Sequence, residues 1–288
     1  MASPSAAALH AALALYRARV AAQNRRALDV WVPFIAAAAF DDDPAELEDV
    51  EDLRMRSLAS LLDVDAAALR SNGVRRPADV LESCGTTETA AAAVVRLYAL
   101  DGVARDPHLA DAERTRLWEE YFSLVLAELR RTCEEEVLDE VAIPEDLVLL
   151  AAEADAVVGA GLPNYRAAFQ VAFFWGLRDL LDGNRSRVRQ RVRRPWELKM
   201  ATGLGGGWEV GAGWELGEGP GGHFCAVYCR RDGGQGWEWR YTFLSQEDHS
   251  SVVFEDVADV LEWYATFNEE RVPAVEELSA EDVLMCMF

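Results

Sequence analysis

WEVGAGWELGEGPGGHFCAVYC, residues 208–229, carries the clearest strand pattern in this chain of 288 residues. Apolar residues take the even positions between 208 and 216, and a second alternation runs from 223 to 229. Alternation with a period of two is typical of β-strands that bury one face. The segment therefore predicts two antiparallel strands joined by a glycine-rich connection. The residues predicted to share the first buried face are Trp208, Val210, Ala212, Trp214 and Leu216.

The same segment contains the spacing G-x-G-x-x-G at Gly217, Gly219 and Gly222, which can mark a dinucleotide site. A phosphate cradle needs a helix directly after its last glycine, because the N-terminus of that helix holds the pyrophosphate. Here a strand pattern follows, and Pro220 lies inside the motif. We therefore interpret the glycines as a turn or bulge that needs positive φ angles, and we expect no cofactor.

The flanking sequence completes an α+β prediction. A glycine-rich stretch at 230–236 predicts a hairpin turn, and alternating aromatic residues at 237–243 predict the next strand. The stretch from 251 to 270 has the pattern of a short strand that leads into a helix with one apolar face. The second half is thus predicted to be a small antiparallel meander covered by helices.

Residues 1–192 have the spacing of amphipathic helices. One helix start is predicted at Asp43-Pro44 and another at Thr86 or Thr87, from their capping residues. The domain organisation that we predict has three parts. They are a helical N-terminal region at 1–105, an α+β domain at 106–272, and a C-terminal tail at 273–288.

Charge and cysteine content narrow the class of protein. The formal net charge is −22, with 50 acidic against 28 basic side chains, which disfavours binding to phosphate backbones. Five cysteines form an odd number in a chain large enough to fold without disulfides, which favours reduced thiols. Neither a signal peptide nor an apolar run of roughly 20 residues is found. These features predict a cytoplasmic protein, with a nuclear location as the alternative, and no membrane partner.

His223, Cys225 and Cys229 suggest metal ligands at first sight. On one extended strand, the two cysteines lie about 13 Å apart at ~3.3 Å per residue. Zinc–sulfur bonds are only ~2.3 Å long, so both thiolates cannot bind one ion without a sharp bend. We expect buried cysteines on a sheet face and no metal.

Six arginines lie between positions 185 and 194. Arg187, Arg189 and Arg191 are the candidates for binding an anion. Two structural interpretations compete with that function: an exposed edge strand or interdomain stretch kept soluble by charge, and pairing with acidic residues of the same molecule.

The tripeptide Gly-Trp-Glu begins at positions 207, 213 and 236. Tryptophans beside carboxylates can form a recognition surface, because Trp and Tyr dominate binding hot spots. The period-two alternation instead favours sheet core for most of these rings. If the chain binds a partner, the predicted contact residues are Trp208, Glu209, Trp214, Glu215, Trp237, Glu238 and Trp239.

The order of elements resembles the SUKH superfamily of fungal cell-wall and glucan-synthesis regulators and bacterial toxin-immunity proteins. The residues that carry the resemblance are Ile143-Pro144-Glu145-Asp146-Leu147, the strand-to-helix ending from Val253 to Tyr264, and GWELGEGPGG. The resemblance covers about residues 110–270. Asp155-Ala156 departs from it, since the family often has Asn-Gly there.

This resemblance implies a binding module without chemistry of its own, an immunity protein or a regulatory scaffold. The leading prediction is therefore a non-enzymatic intracellular protein that binds a protein partner, and the negative charge suits a basic one. One alternative is an enzyme with an acid/base or metal site in a cleft between the helical and sheet halves, where a carboxylate acts with His223 or Cys225. The second is anion or nucleic-acid binding through Arg185–Arg194. The oligomeric state is left open.

Overall fold

A computed structural model describes residues 6–38, 50–62, 65–71, 73–83, 101–106, 109–158, 172–174, 177–204, 206–219, 221–234, 236–266, 276, 278 and 279. The described residues form two compact units. The first unit is drawn from Met1–Tyr16, Val103–Gly159 and Ala168–Tyr264, and the second from Arg17–Gly102, Ala160–Ala167 and Ala265–Phe288. The predicted helix starts at Asp43-Pro44 and at Thr86 or Thr87 lie outside the described residues. The predicted domain boundaries stay predictions.

Helices dominate the first two thirds of the chain. Their bounds are α1 Ala6–Ala37, α2 Val50–Leu61, α3 Ala66–Ser71, α4 Ala78–Ser83, α5 Asp111–Thr132, α6 Glu145–Glu153, α7 Arg178–Leu181, α8 Arg185–Gln190, α9 Pro195–Ala201 and α10 Val257–Tyr264. A single 3-10 turn, Glu135–Val137, separates α5 from α6. In the described ranges, none of these helices has the combination of length and apolarity that crossing a bilayer requires.

The strands form two antiparallel sheets in the first unit. A small sheet pairs β1 (Val103–Ala104) with β2 (Ala156–Val157). The larger sheet contains β3 (Trp208–Gly219), β4 (Gly222–Arg231), β5 (Glu238–Ser245) and β6 (Ser251–Phe254) in sequence order. The α+β prediction is therefore confirmed, including the helical N-terminal region, the meander and the strand-to-helix ending at α10.

A bulge in β3 changes which face its residues occupy. Val210 is the cross-strand partner of Cys229, whereas Ala212 is the partner of Tyr228, so one extra residue lies between them. Such an insertion moves the following side chains to the opposite face of the sheet. The prediction of one shared face for the even positions from 208 to 216 is therefore wrong.

Strand β4 is buried on both faces, which makes it the centre of the first unit. Its odd-numbered residues 225–229 pack with Leu198 of α9. On the other face, the ring of Phe224 lies 5.2 Å from that of Phe173 and 5.3 Å from that of Tyr264 in α10. Helices thus cover both sides of the sheet at this strand.

The glycine motif lies at the hairpin between β3 and β4, and a strand follows it, as predicted. Gly217 and Gly222 do not have positive φ angles, so that part of the interpretation is wrong. A Cβ atom on Gly217 would lie 1.9 Å from the carbonyl oxygen of Ala172, and one on Gly222 would lie 2.3 Å from that of Leu244. These glycines are required by the close approach of neighbouring backbone.

The second unit has its own core. Residues from α1, α2, α3 and α4 form one buried apolar cluster, and Leu278 packs against it. Trp31, Met55, Leu69 and Val80 are each at most 3% exposed within this cluster. Because every one of these helices buries an apolar stripe, the unit has the packing expected of a helical layer.

Candidate partner-binding groove

An open groove with a volume of about 760 Å³ lies in the first unit, beside the start of the edge strand β3. Its walls come from the turn after α5, from α9, from the first residues of β3, and from the residue before β5. The lining residues are Glu134, Glu135, Glu136, Pro195, Trp196, Lys199, Glu209, Val210 and Trp237.

The glutamate wall is held in place by its backbone. The N–H of Glu134 donates to the carbonyl oxygen of Gly211 in β3 at 2.9 Å, which ties the turn to the sheet edge. Val137, at the end of the 3-10 turn, is fully buried. These two contacts fix the position of the turn beside the sheet. The side chains of Glu134, Glu135 and Glu136 are exposed on it.

Helix α9 presents an exposed tryptophan to the groove. Pro195 occupies its first helical position, and the side chain of Glu197 accepts a hydrogen bond from the N–H of Arg194 at 3.1 Å, which stabilises this helix start. Leu198 is buried against the sheet, so the opposite side of this helix, which carries Trp196, faces solvent. Trp196 is consequently 59% exposed, an unusual exposure for a residue of this size.

The groove has an excess of negative charge. Four glutamates and one basic residue, Lys199, line it, and Arg230 and Arg231 lie beside it. Arg230 is paired with Glu136 and Glu209, whereas Glu134 and Glu135 form no ion pair with a described residue. Lys199 donates to the carbonyl oxygen of Trp208 at 3.0 Å. Carboxylates next to an exposed indole are the groups that bind a cation in proteins.

Of the seven predicted contact residues, Glu209 and Trp237 line the groove. Trp208 is half-buried beside it, and the guanidinium carbon of Arg231 lies 4.1 Å from the centre of its ring. Glu238 is exposed but is hydrogen-bonded to Arg240.

Trp239 is half-buried and packs into the sheet. Its indole N–H donates to the carbonyl oxygen of Ala142 at 3.0 Å, and its ring lies 5.1 Å from that of Tyr228. Trp239 therefore belongs to the packing of the sheet and does not line the groove.

The prediction that Trp214 and Glu215 contact a partner is wrong. Trp214 is fully buried, with its ring 5.3 Å from that of Trp239. Glu215 is only 9% exposed, and its carboxylate accepts two hydrogen bonds from Arg193 at 3.1 and 3.3 Å. Both residues belong to the interior of the sheet, because β3 is covered on both faces along this part of its length.

The arginine run forms helix α8 and the residues after it, so the edge-strand interpretation is wrong. Arg191 is 9% exposed, and its Nε donates to Asp179 at 2.7 Å. Arg187 lies 3.5 Å from Asp179 and 3.7 Å from Glu218. Arg189 is exposed on the same helix. The prediction that Arg187 and Arg191 bind an anion is therefore wrong. Both guanidinium groups pair with carboxylates of the same molecule, as the pairing interpretation predicts.

The cysteines of β4 are buried on one sheet face, as predicted. Burial raises the pKa of the Cys229 thiol to about 12, and burial also raises the pKa of the Cys225 thiol. Thiols in this environment are weak nucleophiles, because only the thiolate form attacks. His223 contacts Gln246 at 2.8 Å. Within the ranges that the structure describes, no cluster of His, Cys, Asp or Glu has the arrangement of a metal site.

Sequence reasoning missed Trp196, Lys199 and the glutamates of the 3-10 turn as groove residues. The run of acidic residues at 134–136 resembles an ordinary solvated helix end, and only its position beside β3 makes it part of a groove. The available local signal was Trp196 itself, an aromatic residue that directly follows the helix-starting Pro195 and lies between the charged residues Arg194 and Glu197.

A second cavity of about 380 Å³ lies between α5 and α6. Trp118, Phe122 and Val148 make it mostly apolar, and Arg105 lies at its rim. None of the predicted contact residues lines this cavity. The groove beside β3 is therefore the stronger candidate site.

The chain has no match among protein-family models, among curated proteins or among solved structures.

Proposed function

We propose that this chain is a non-enzymatic protein-interaction or regulatory module of the SUKH-like type, and that it binds a basic segment of a protein partner. The observation that carries the proposal is the groove beside β3, in which four carboxylates and two indoles surround an open volume. The resemblance in element order from the Pro144 helix start to α10 supports a binding module of this kind.

The chemistry of the groove favours a cationic segment over other occupants. An acidic segment or a phosphate backbone would be repelled by Glu134 and Glu135, which carry no compensating partner among the described residues. An apolar segment would cover the exposed face of Trp196 but would also desolvate the carboxylates without pairing them. Lysine or arginine side chains satisfy both features, because their charge pairs with the carboxylates and their stems or heads pack on the ring.

Peptide binding tests this proposal directly. The probe is a synthetic peptide that alternates glycine with lysine and arginine, and the reference is its counterpart with glutamate at the charged positions. We expect calorimetry to detect binding of the basic peptide only. Trp196→Ala and a combined Glu134→Gln and Glu135→Gln variant should each weaken that binding by roughly threefold to tenfold.

Matched controls are available on the same unit. Leu181→Ala removes an exposed apolar side chain, 50% exposed, from α7, and Glu262→Gln removes one exposed negative charge from α10. Neither residue lines the groove. The proposal fails if the acidic peptide binds as tightly as the basic one, or if the groove variants bind like the two controls.

A further inference from the structure

We infer that the groove contains a guanidinium subsite that the chain fills with its own Arg230, and that an arginine of the partner displaces it. Arg230 is then an internal competitor, and the partner segment is recognised through arginine specifically. This inference rests on the proposed function and adds the residue type that is recognised and a regulation of access.

Arg230 is surrounded by the groups that recognise a guanidinium. Its Nη1 donates to Glu136 Oε1 at 2.7 Å, and its Nη2 donates to the other carboxylate oxygen at 3.3 Å. Its Nε donates to Glu209 at 2.7 Å. Its guanidinium carbon lies 4.5 Å from the centre of the Trp237 ring. Hydrogen bonds to Glu209 and Glu136 raise the pKa of Arg230, in agreement with a well-matched pair of carboxylates.

All three of these partners also line the groove. They come together from distant parts of the chain, since Glu136 and Arg230 are 94 residues apart. Glu209 lies directly across from Arg230 in the β3–β4 pairing, and Trp237 stacks on Tyr228 of the same sheet face. The subsite is therefore continuous with the unpaired glutamates and with Trp196, where the rest of a basic segment would lie.

The resident arginine is accessible enough to be replaced. The side chains of Glu136 and Glu209 are 58% and 42% exposed, and that of Arg230 is 22% exposed. Ion pairs with this degree of exposure contribute little to stability. A partner segment whose arginine enters the subsite, and whose other residues engage Glu134, Glu135 and Trp196, makes more contacts in the groove than Arg230 makes alone.

Arg231 provides an internal comparison. Its guanidinium stacks over Trp208 at 4.1 Å, but no carboxylate of the described residues forms an ion pair with it. It follows Arg230 directly in β4, so its side chain projects from the opposite face of the sheet. Substituting either arginine removes one positive charge from the same strand end, yet only Arg230 occupies the subsite.

The geometry selects arginine over lysine. A guanidinium is planar and offers its donors in a fixed fork, which suits the two-oxygen contact with Glu136 and the stacking on Trp237. An ammonium group is a compact point charge and cannot make the planar two-bond contact. A vacated subsite should therefore discriminate between the two side chains.

The experiment compares two amidated hexapeptides of equal charge, one alternating glycine with arginine and one alternating glycine with lysine. Their affinities are measured by calorimetry against the wild-type chain, Arg230→Gln and Arg231→Gln, after circular dichroism has verified that each variant is folded. We expect Arg230→Gln to bind the arginine peptide about tenfold more tightly than the wild type does, and the lysine peptide less than threefold more tightly. Arg231→Gln should change both affinities equally and only slightly.

A further variant controls for changes elsewhere in the protein. Adding Glu136→Gln and Glu209→Gln to Arg230→Gln should abolish the gain for the arginine peptide, because the two carboxylates of the subsite are then neutral. An equal gain for both peptides in Arg230→Gln, or no gain, overturns the inference and leaves the proposed function standing. If neither peptide binds any of the proteins, the proposed function fails and the inference fails with it.

Discussion

Gly217 shows how a motif residue is explained by its surroundings. It is the first glycine of the G-x-G-x-x-G spacing, yet its backbone is extended within β3 and needs no left-handed conformation. What it needs is space, because the backbone carbonyl of Ala172 lies where a side chain would begin. A carbonyl oxygen in the main chain cannot swing aside as the end of a flexible side chain can. The glycine is thus a packing requirement of the fold.

Substitution of this glycine should therefore destabilise the protein. We expect Gly217→Ala to lower the free energy of unfolding by about 1–3 kcal/mol, as overpacked sites do. The measurement is a urea titration followed by circular dichroism, with Gly206→Ala as the matched control, since a Cβ there meets nothing within 4 Å. Equal urea midpoints for the two variants would contradict this account, because they would mean that the backbone at 172–174 moves to accept a Cβ atom without loss of stability.

At the scale of elements, Asp146 joins three parts of the first unit. It is the second residue of α6, and one of its carboxylate oxygens accepts the hydroxyl hydrogen of Tyr241 in β5. Its other oxygen accepts a hydrogen bond from the N–H of Val257, the first residue of α10, at 3.0 Å. The Pro144-Glu145-Asp146 helix start, which carries part of the SUKH resemblance, thus has a structural role in holding a helix and a strand together.

The pH dependence of stability should report this carboxyl group. Burial raises the pKa of Asp146, against the opposing effect of the hydrogen bonds from Tyr241 and Val257. The folded carboxyl therefore keeps its proton to a higher pH than the unfolded one does. Its contribution to stability is complete below about pH 3.9, the unfolded pKa, and is lost as pH rises through the folded pKa.

The test compares wild type with Asp146→Asn in urea titrations between pH 3 and pH 7. We expect the stability difference between them, wild type minus variant, to be largest at the acidic end and to shrink as pH rises. Glu145→Gln, at the exposed neighbouring position, controls for loss of one negative charge from the same helix turn. A difference that grows with pH would mean that the folded pKa is lowered and would contradict this account.

At the scale of the whole molecule, net charge should govern how fast the proposed basic partner associates. The formal net charge of −22 acts over distances longer than any single ion pair in the groove. Long-range attraction raises the rate of association more than it slows dissociation. Most of the positive charge in the basic run at 185–194 is paired within the molecule, with Asp179, Glu215, Glu218 and Glu120. This run therefore does little to repel an approaching basic peptide.

Salt should therefore act mainly on association. Between about 0.1 M and 1 M salt, the screening length falls from ~10 Å to ~3 Å. Across this range we expect the association rate of the arginine peptide to fall at least about tenfold, and its dissociation rate to change much less. Stopped-flow tryptophan fluorescence measures both rates, and a citrulline peptide, uncharged but similar in shape, is the control. An association rate that does not respond to salt would exclude electrostatic steering.

The sequence alone missed β1 and β2, but it established the four strands of the larger sheet, the turn at 230–236, the strand-to-helix ending and the burial of the β4 cysteines. Each of these rests on a period or a turn residue within a few positions, and such local patterns need no knowledge of distant neighbours. Three features could be determined only from the folded chain. They are the sheet face that Trp214 occupies, the pairing of Arg230 with Glu136, and the groove itself. An extra residue between Val210 and Ala212 reverses the faces of the β3 side chains from Ala212 to Glu215. The groove joins residues about a hundred positions apart, so only long-range packing sets either feature.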